Sequence, residues 1–396
     1  MKFWIAGLLL VAIAGCASTD RLDPVPSNLT ANALPLGLTN ARFFPGVQAA
    51  DIAAEWGKAI QRQRRAKGLS QTANLHEAQF LAISGGGDNG AFGSGLLVGW
   101  TEAGNRPEFE VVTGVSTGAL IAPFAFLGPK YDRQLRDVYT TVSAKDIYSQ
   151  RMIVDAIYND AMADTTPLWR FISKFVDQTM LDRIAEEYQK GRLLFIASTD
   201  LDAQRPSIWN VGAIAASKDP RALDLVRKIL RASSAVPGFF QPVMIDVELN
   251  GKTYQEMHVD GGAIAQMFLY PPSIDLRKIA DRDRKAYLIR NARLDPEWAS
   301  VERRTLPIAG RAISTMIQSS GSNDVLRIYN TTKRDGVDYN LAYIGSDFKA
   351  PHKGDFDRAY MNALFDYGYE QAVAGYPWRK VPPILSKIAG VEGQTE

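Results

Sequence analysis

The chain has 396 residues, 46% of them apolar and 22% charged, a globular composition long enough for one large core or two ordinary ones. Its 45 basic and 43 acidic residues leave a formal charge of only +2, which gives no electrostatic basis for a nucleic-acid partner. The only cysteine is Cys16, so an intramolecular disulfide is excluded.

The first sixteen residues read as a targeting segment. Lys2 is followed by an apolar run, Phe3 to Ala14, too short to cross a bilayer as a permanent helix, and then by Gly15-Cys16. This pattern resembles a bacterial lipoprotein signal: residues 1–15 form the signal peptide, and Cys16 becomes the lipid-modified first residue of the mature chain. At about 0.8 kcal/mol per buried CH₂, several acyl chains make a permanent anchor. Ala17 follows where, in the enterobacterial pattern, an aspartate holds a lipoprotein at the inner membrane, so the expected location is the outer membrane facing the periplasm. The alternative is an ordinary secretory signal in which Cys16 is incidental.

Residues 16–50 are polar and carry Pro24, Pro26, Pro35 and Pro45, the composition of an extended tether. Over 51–78 an N-terminal helical segment is expected, its helix running from Asp51 to Gly68 with Ile52, Trp56 and Ile60 on one face and Arg62, Arg64, Arg65 and Lys67 at its end. Those cations either complement the helix dipole or meet anionic headgroups.

Two strand-to-helix turns follow. Phe80–Ile83 leads through Gly85, Gly86 and Gly87 into a helix over Gly90–Ala103. Phe109–Val115 leads through Ser116 into a helix over Ala119–Leu127. Loops after neighbouring parallel strands open on one side of a sheet, so the glycine loop and Ser116 are expected at one edge. The stretch from Gly128 to Gly191 is helix-compatible and reads as an insertion covering the site. Strands are expected at Arg192–Ser198 and Ser207–Val211, and a helix at Pro220–Arg231. Asn250-Gly251 between Val243–Leu249 and Lys252–Val259 is a strong hairpin signal that delivers Asp260-Gly261-Gly262. A strand at Lys285–Asn291, a helix at Leu306–Ser319, a strand at Tyr339–Ile344 and a helix at Asp355–Ala374 complete the chain. Alternating strands and helices indicate one α/β domain around a central, mostly parallel sheet.

Gly114-x-Ser116-x-Gly118 between a strand and a helix fits a nucleophile elbow. The serine hydroxyl needs a base, and the chain holds three histidines: His76, His258 and His352. His76 precedes the sheet. His258 shares a strand face with Asp260 and points into the site or packs beneath it. His352 follows Asp260 in the order serine, acid, histidine. Asp260, at a buried strand end, is the alternative base, because desolvation raises its proton affinity. The loop Gly85-Gly86-Gly87-Asp88-Asn89-Gly90 can offer backbone amides to an oxyanion; the same pattern also cradles phosphate.

GGGDNG, GVSTG, ASSAVPGFFQPV and DGG, in that order, resemble the patatin-like phospholipase family over about residues 79–291. The resemblance implies a three-layer α/β/α fold. It also implies a catalytic dyad of Ser116 and Asp260 without a histidine, and an oxyanion hole from Gly85, Gly86, Gly87 and Gly90, chiefly Gly86 and Gly87. Gly114 and Gly118 flank the nucleophile, and Gly261 and Gly262 follow the acid. Asn89 departs from the pattern, which often has Arg or Lys there and so more positive charge near a substrate phosphate. Residues 292–396 are expected to form an extension packing on the catalytic domain. No metal-ligand spacing is seen, and no cofactor is expected. The expected activity is hydrolysis of lipid acyl esters, phospholipid or lysophospholipid, at a membrane. The competing readings are a Ser116–Asp260–His352 triad esterase, a silent lipid-binding lipoprotein and a nucleotide-binding glycine loop.

Overall fold

A computed structural model describes residues 21–150 and 161–388; Cys16 and the expected signal peptide lie outside them. The architecture follows from five apolar segments that pair in parallel: β2 (Ala78–Ile83), β3 (Val111–Val115), β4 (Leu193–Asp200), β8 (Arg284–Arg290) and β9 (Asp338–Tyr343), in the order β4-β3-β2-β8-β9. Such strands are apolar on both faces because helices cover both. Phe80 and Ala82 of β2 face one core cluster, while Leu81 and Ile83 face the other.

Antiparallel strands extend the sheet to nine: β1 (Arg42–Phe43), β5 (Arg205–Asn210), β6 (Val243–Leu249) and β7 (Lys252–Asp260). β5 pairs with β4 and β1, and β7 pairs with β4 and β6. The β6–β7 turn has Asn250 at φ 50° and Gly251 at φ 78°, the left-handed pair its sequence predicts.

One face carries the helices α2 (Gly90–Glu102), α3 (Thr117–Leu127), α4 (Ala222–Ser233) and α6 (Arg358–Val373); the other carries α1 (Ala49–Ala66) and the C-terminal half of α5 (Thr305–Asp335). The result is the expected three-layer α/β/α arrangement. Among the described residues no helix is long and apolar enough to cross a membrane.

Three expectations change. The tether over 16–50 is, from residue 21 onward, part of the domain: Val25 and Ala33 pack with Val247 and Leu249, and β1 joins the sheet. The prolines hid a segment with enough buried apolar surface to order it. Residues 292–388 are built into the fold instead of packing on it from outside. β9 pairs in register with β8, and α6 crosses α2 so closely that a Cβ on Gly95 would lie 2.0 Å from the Phe365 carbonyl oxygen. The described parts of 128–191 include helices whose Leu168, Ile172, Met180 and Ile184 belong to the core, so this stretch is built into the packed domain.

Candidate active site

Ser116 joins β3 to α3 with φ 55° and ψ −125°. A non-glycine residue in such a conformation costs on the order of 1–3 kcal/mol and persists only when its surroundings hold it. The holders are identifiable. The Ser116 N–H donates to Ser233 Oγ at 3.0 Å, and Ser233 Oγ donates to the Ala197 carbonyl at 2.6 Å. The Ser116 carbonyl accepts the N–H of Ala119 at 2.9 Å. The turn is also closed by contact: a Cβ on Gly114 would lie 2.4 Å from the Gly118 oxygen, and one on Gly118 would lie 2.3 Å from the Ile83 oxygen.

Asp260 ends β7 beside Ser198 of β4 and is buried. Its N–H donates to the Ala235 carbonyl at 2.8 Å, and its Oδ1 accepts the Gly262 N–H at 2.7 Å. Burial pushes its pKa up to about 7; the Ser116 side chain, hydrogen-bonded to the carboxylate, and the Gly262 amide pull the other way. Ser116 and Asp260 are thus brought together. A Cβ on Gly261 would lie 2.6 Å from the Ala197 oxygen, which fixes the chain's exit from β7.

The four glycines of the first loop divide into two kinds. The Gly85 N–H is given to the Gln266 carbonyl at 3.0 Å, and the Gly90 N–H turns back to Gly87 and Asp88 carbonyls. These two serve close packing instead: a Cβ on Gly85 would lie 3.1 Å from Ser116 Cβ, and one on Gly90 would lie 2.2 Å from Thr117 Oγ1. Among the described residues no backbone carbonyl takes the Gly86 or Gly87 N–H. Gly86 lies against Asn291, and Gly87 is exposed at φ 58°.

The histidines stand elsewhere. His352 Nε2 donates to Asp88 Oδ2 at 2.7 Å, and Asp88 also accepts the Phe356 N–H. His258 is buried beneath the site, with Nδ1 hydrogen-bonded to Ser198 Oγ at 3.0 Å and Nε2 to Glu256 Oε2 at 3.1 Å. His76 is exposed. Asn89 accepts the Tyr360 hydroxyl at 2.7 Å. Arg62, in the basic run at the end of α1, is buried and bonded to Glu55 and the Tyr188 carbonyl, so it does not face headgroups.

Sequence reasoning missed three positioning residues. Ser233, in ASSAVP, secures the elbow as described. Gln266 joins the acid loop to the glycine loop: its Nε2 donates to the Gly262 carbonyl at 2.9 Å while its own carbonyl holds Gly85. Asn291 splints the glycine loop, with Nδ2 donating to the Ser84 carbonyl at 3.0 Å and Oδ1 accepting the Gly93 N–H at 3.0 Å. Only the strand-end position of Asn291 hinted at this.

Asp200, Glu256 and His258 bring ligand atoms within 4.8 Å of one another. Arg42 already pairs with Glu256, and both His258 nitrogens are bonded, so the group is a buried, hydrogen-bonded polar network on β4 and β7. An apolar cavity of about 230 Å³ opens next to the acid loop, with Gly261, Ile264, Phe268, Trp56 and Ile208 among its walls.

Residues 81–271 match the family model described as patatin-like phospholipase. Solved structures to which the chain is similar include VipD from Legionella pneumophila (12% identity, TM-score 0.37, covering 77% of this chain and 68% of that one). Two others are ExoU of the Pseudomonas aeruginosa type III secretion system, solved with SpcU (11%, 0.30, 76% and 52%), and human GIVD cytosolic phospholipase A2 (8%, 0.31, 70% and 51%). The chain therefore spans about half the length of the last two. No curated protein matches it.

Proposed function

We propose that this chain, whose residues 81–271 form a patatin-like phospholipase domain, is a lipid acyl hydrolase working through a Ser116 acyl-enzyme. Ser116 Oγ attacks the ester carbonyl while Asp260 takes its proton. The Gly86 and Gly87 amides stabilise the oxyanion. Asp260 then passes the proton to the leaving alcohol, and water, deprotonated by the same carboxylate, cleaves the acyl-enzyme and restores Ser116.

The observation that carries this reading is the pairing of a strained, glycine-flanked Ser116 with a buried Asp260 whose proton affinity is raised to near neutrality. The triad reading has less support, because His352 commits Nε2 to Asp88. The apolar cavity beside Gly261 favours an acyl chain over a polar substrate. Phospholipid and lysophospholipid are the proposed substrates. An acylated Cys16 holds the domain at the outer membrane facing the periplasm, beside them. A fluorophosphonate probe tests the nucleophile: labelling that maps to Ser116 supports the proposal, and an unlabelled protein, as a silent lipid-binding lipoprotein requires, opposes it.

A further inference from the structure

The N-terminal half of α5 leaves the body of the domain. From Pro296 to Thr305 every residue is exposed, and so are most of those from Ile308 to Ser319. Yet this arm is not composed like a solvated surface. Trp298 is 90% exposed and Met316 70%, and Val301, Ile308, Ile313 and Ile317 are exposed with them. Ala309, Ala312, Ile313, Met316 and Ile317 recur at the i, i+3, i+4, i+7, i+8 spacing that makes one apolar stripe on a helix, but the stripe is left uncovered among the described residues. In the C-terminal half of the same helix, Val325 and Ile328 do reach the core.

Charge selects the occupant. Between Glu302 and Asp324 there is no acidic residue, while Arg303, Arg304 and Arg311 are basic. Arg304 lies 3.4 Å from Glu302, and both side chains remain largely exposed. An apolar stripe with arginines, an acid-free first half of α5 and a tryptophan beside it match the requirements of an anionic bilayer surface, where the stripe enters the headgroup boundary and indole sits at headgroup level. Position agrees. Thr315, Met316, Ser319 and Asp324 line one cleft with Ile264, which belongs to the loop after Asp260, and Ile264 and Asp324 also line the apolar cavity.

We infer that Trp298 and the first four turns of α5 form a docking surface for anionic phospholipid bilayers, which turns the mouth of the site toward the membrane. The inference rests on the proposed lipid hydrolase for its purpose, but not for its test. An acyl anchor at Cys16 fixes distance from the membrane without fixing orientation; this arm supplies the orientation.

The test is flotation of the full chain carrying Cys16→Ser, to remove the acyl anchor, and Ser116→Ala, to stop turnover. Vesicles contain either phosphatidylcholine alone or phosphatidylcholine with phosphatidylglycerol. The expected result is binding to the phosphatidylglycerol vesicles that falls about tenfold with Trp298→Ser plus Ile313→Ser, and falls likewise on the neutral vesicles. The same pair of substitutions on active protein should leave hydrolysis of a soluble short-chain ester unchanged, which checks folding. Equal flotation of the double variant overturns the inference. So does a dimer that forms without vesicles and disappears in the double variant, since the stripe then meets a second copy. A failure of the catalytic proposal would appear in the ester assay of Ser116→Ala and leave flotation as it is.

Discussion

The backbone amide of Ser116 donates to the hydroxyl of Ser233, 3.0 Å away and 117 residues on. A fully buried side chain from α4 thus satisfies the N–H of Ser116, a residue held at positive φ. Ser233→Ala leaves that amide unpaired, at about 1–3 kcal/mol. The expected outcome is a Tm lower by a few degrees and a kcat reduced about ten- to a hundredfold with KM little changed, because the nucleophile is misaimed by a fraction of an ångström. Melting curves and steady-state kinetics on one soluble ester check both.

The acid sets the pH dependence. Asp260 must be ionised to accept the Ser116 proton, and burial raises its pKa to about 7. Hydrolysis is therefore expected to climb as pH rises through about 7, and kcat/KM of Asp260→Asn to lose that limb along with most activity. Stability runs the opposite way. The folded carboxyl holds its proton more tightly than the unfolded one, so its contribution is favourable below the ordinary carboxylate range and is lost as pH rises toward 7. Asp260→Asn should then melt above the wild type at pH 8 and lose this advantage near pH 4.

The glycine loop gives a steric prediction. A Cβ at Gly86 would lie 2.1 Å from the Asn291 carbonyl oxygen, so Gly86→Ala must displace the loop and its amides. The loss expected for one oxyanion donor is about a hundred- to a thousandfold in kcat. Circular dichroism unchanged beside that loss separates the effect from unfolding.

His352 separates the two hydrolase mechanisms. It donates to Asp88 and lies against Tyr360, with ring centroids 4.3 Å apart and the planes tilted by 38°. Glutamine can keep the hydrogen bond to Asp88. His352→Gln is expected to retain hydrolysis within about twofold, where a triad would lose about ten-thousandfold. Initial rates on a short-chain ester decide between them.

The parts of the site readable in the sequence were those in which backbone geometry dictates residue type. Gly114 and Gly118 must be glycine because a carbonyl occupies the place of each Cβ, and Asn250-Gly251 must be a turn because both residues take positive φ. The pairing of Ser116 with Asp260 came from ordered motifs, a resemblance no local rule supplies. What stayed hidden depends on contacts distant in the chain. Arg42 is buried only because Glu256 meets it across 214 residues, and its proline-dotted surroundings read as a tether. Gln266 and Asn291 are ordinary polar residues until the sheet brings their amides to Gly262 and Ser84. The glycines of the first loop looked alike, yet the carbonyl of Gln266 occupies the amide of Gly85 and leaves that of Gly86. The stripe on α5 had the period of a core helix, and only the fold reveals that its Ile313, Met316 and Ile317 are exposed among the described residues.

Hydrolysis of phospholipid by Ser116 and Asp260 is read out by mass spectrometry of a mixed phospholipid extract incubated with the protein, alongside its Ser116→Ala and Asp260→Asn variants. A Ser116–Asp260 hydrolase releases free fatty acid and lysophospholipid, or glycerophosphodiester, in the wild type, and both variants stay at background. Equal product from wild type and Ser116→Ala, or no product from any of the three, would contradict it.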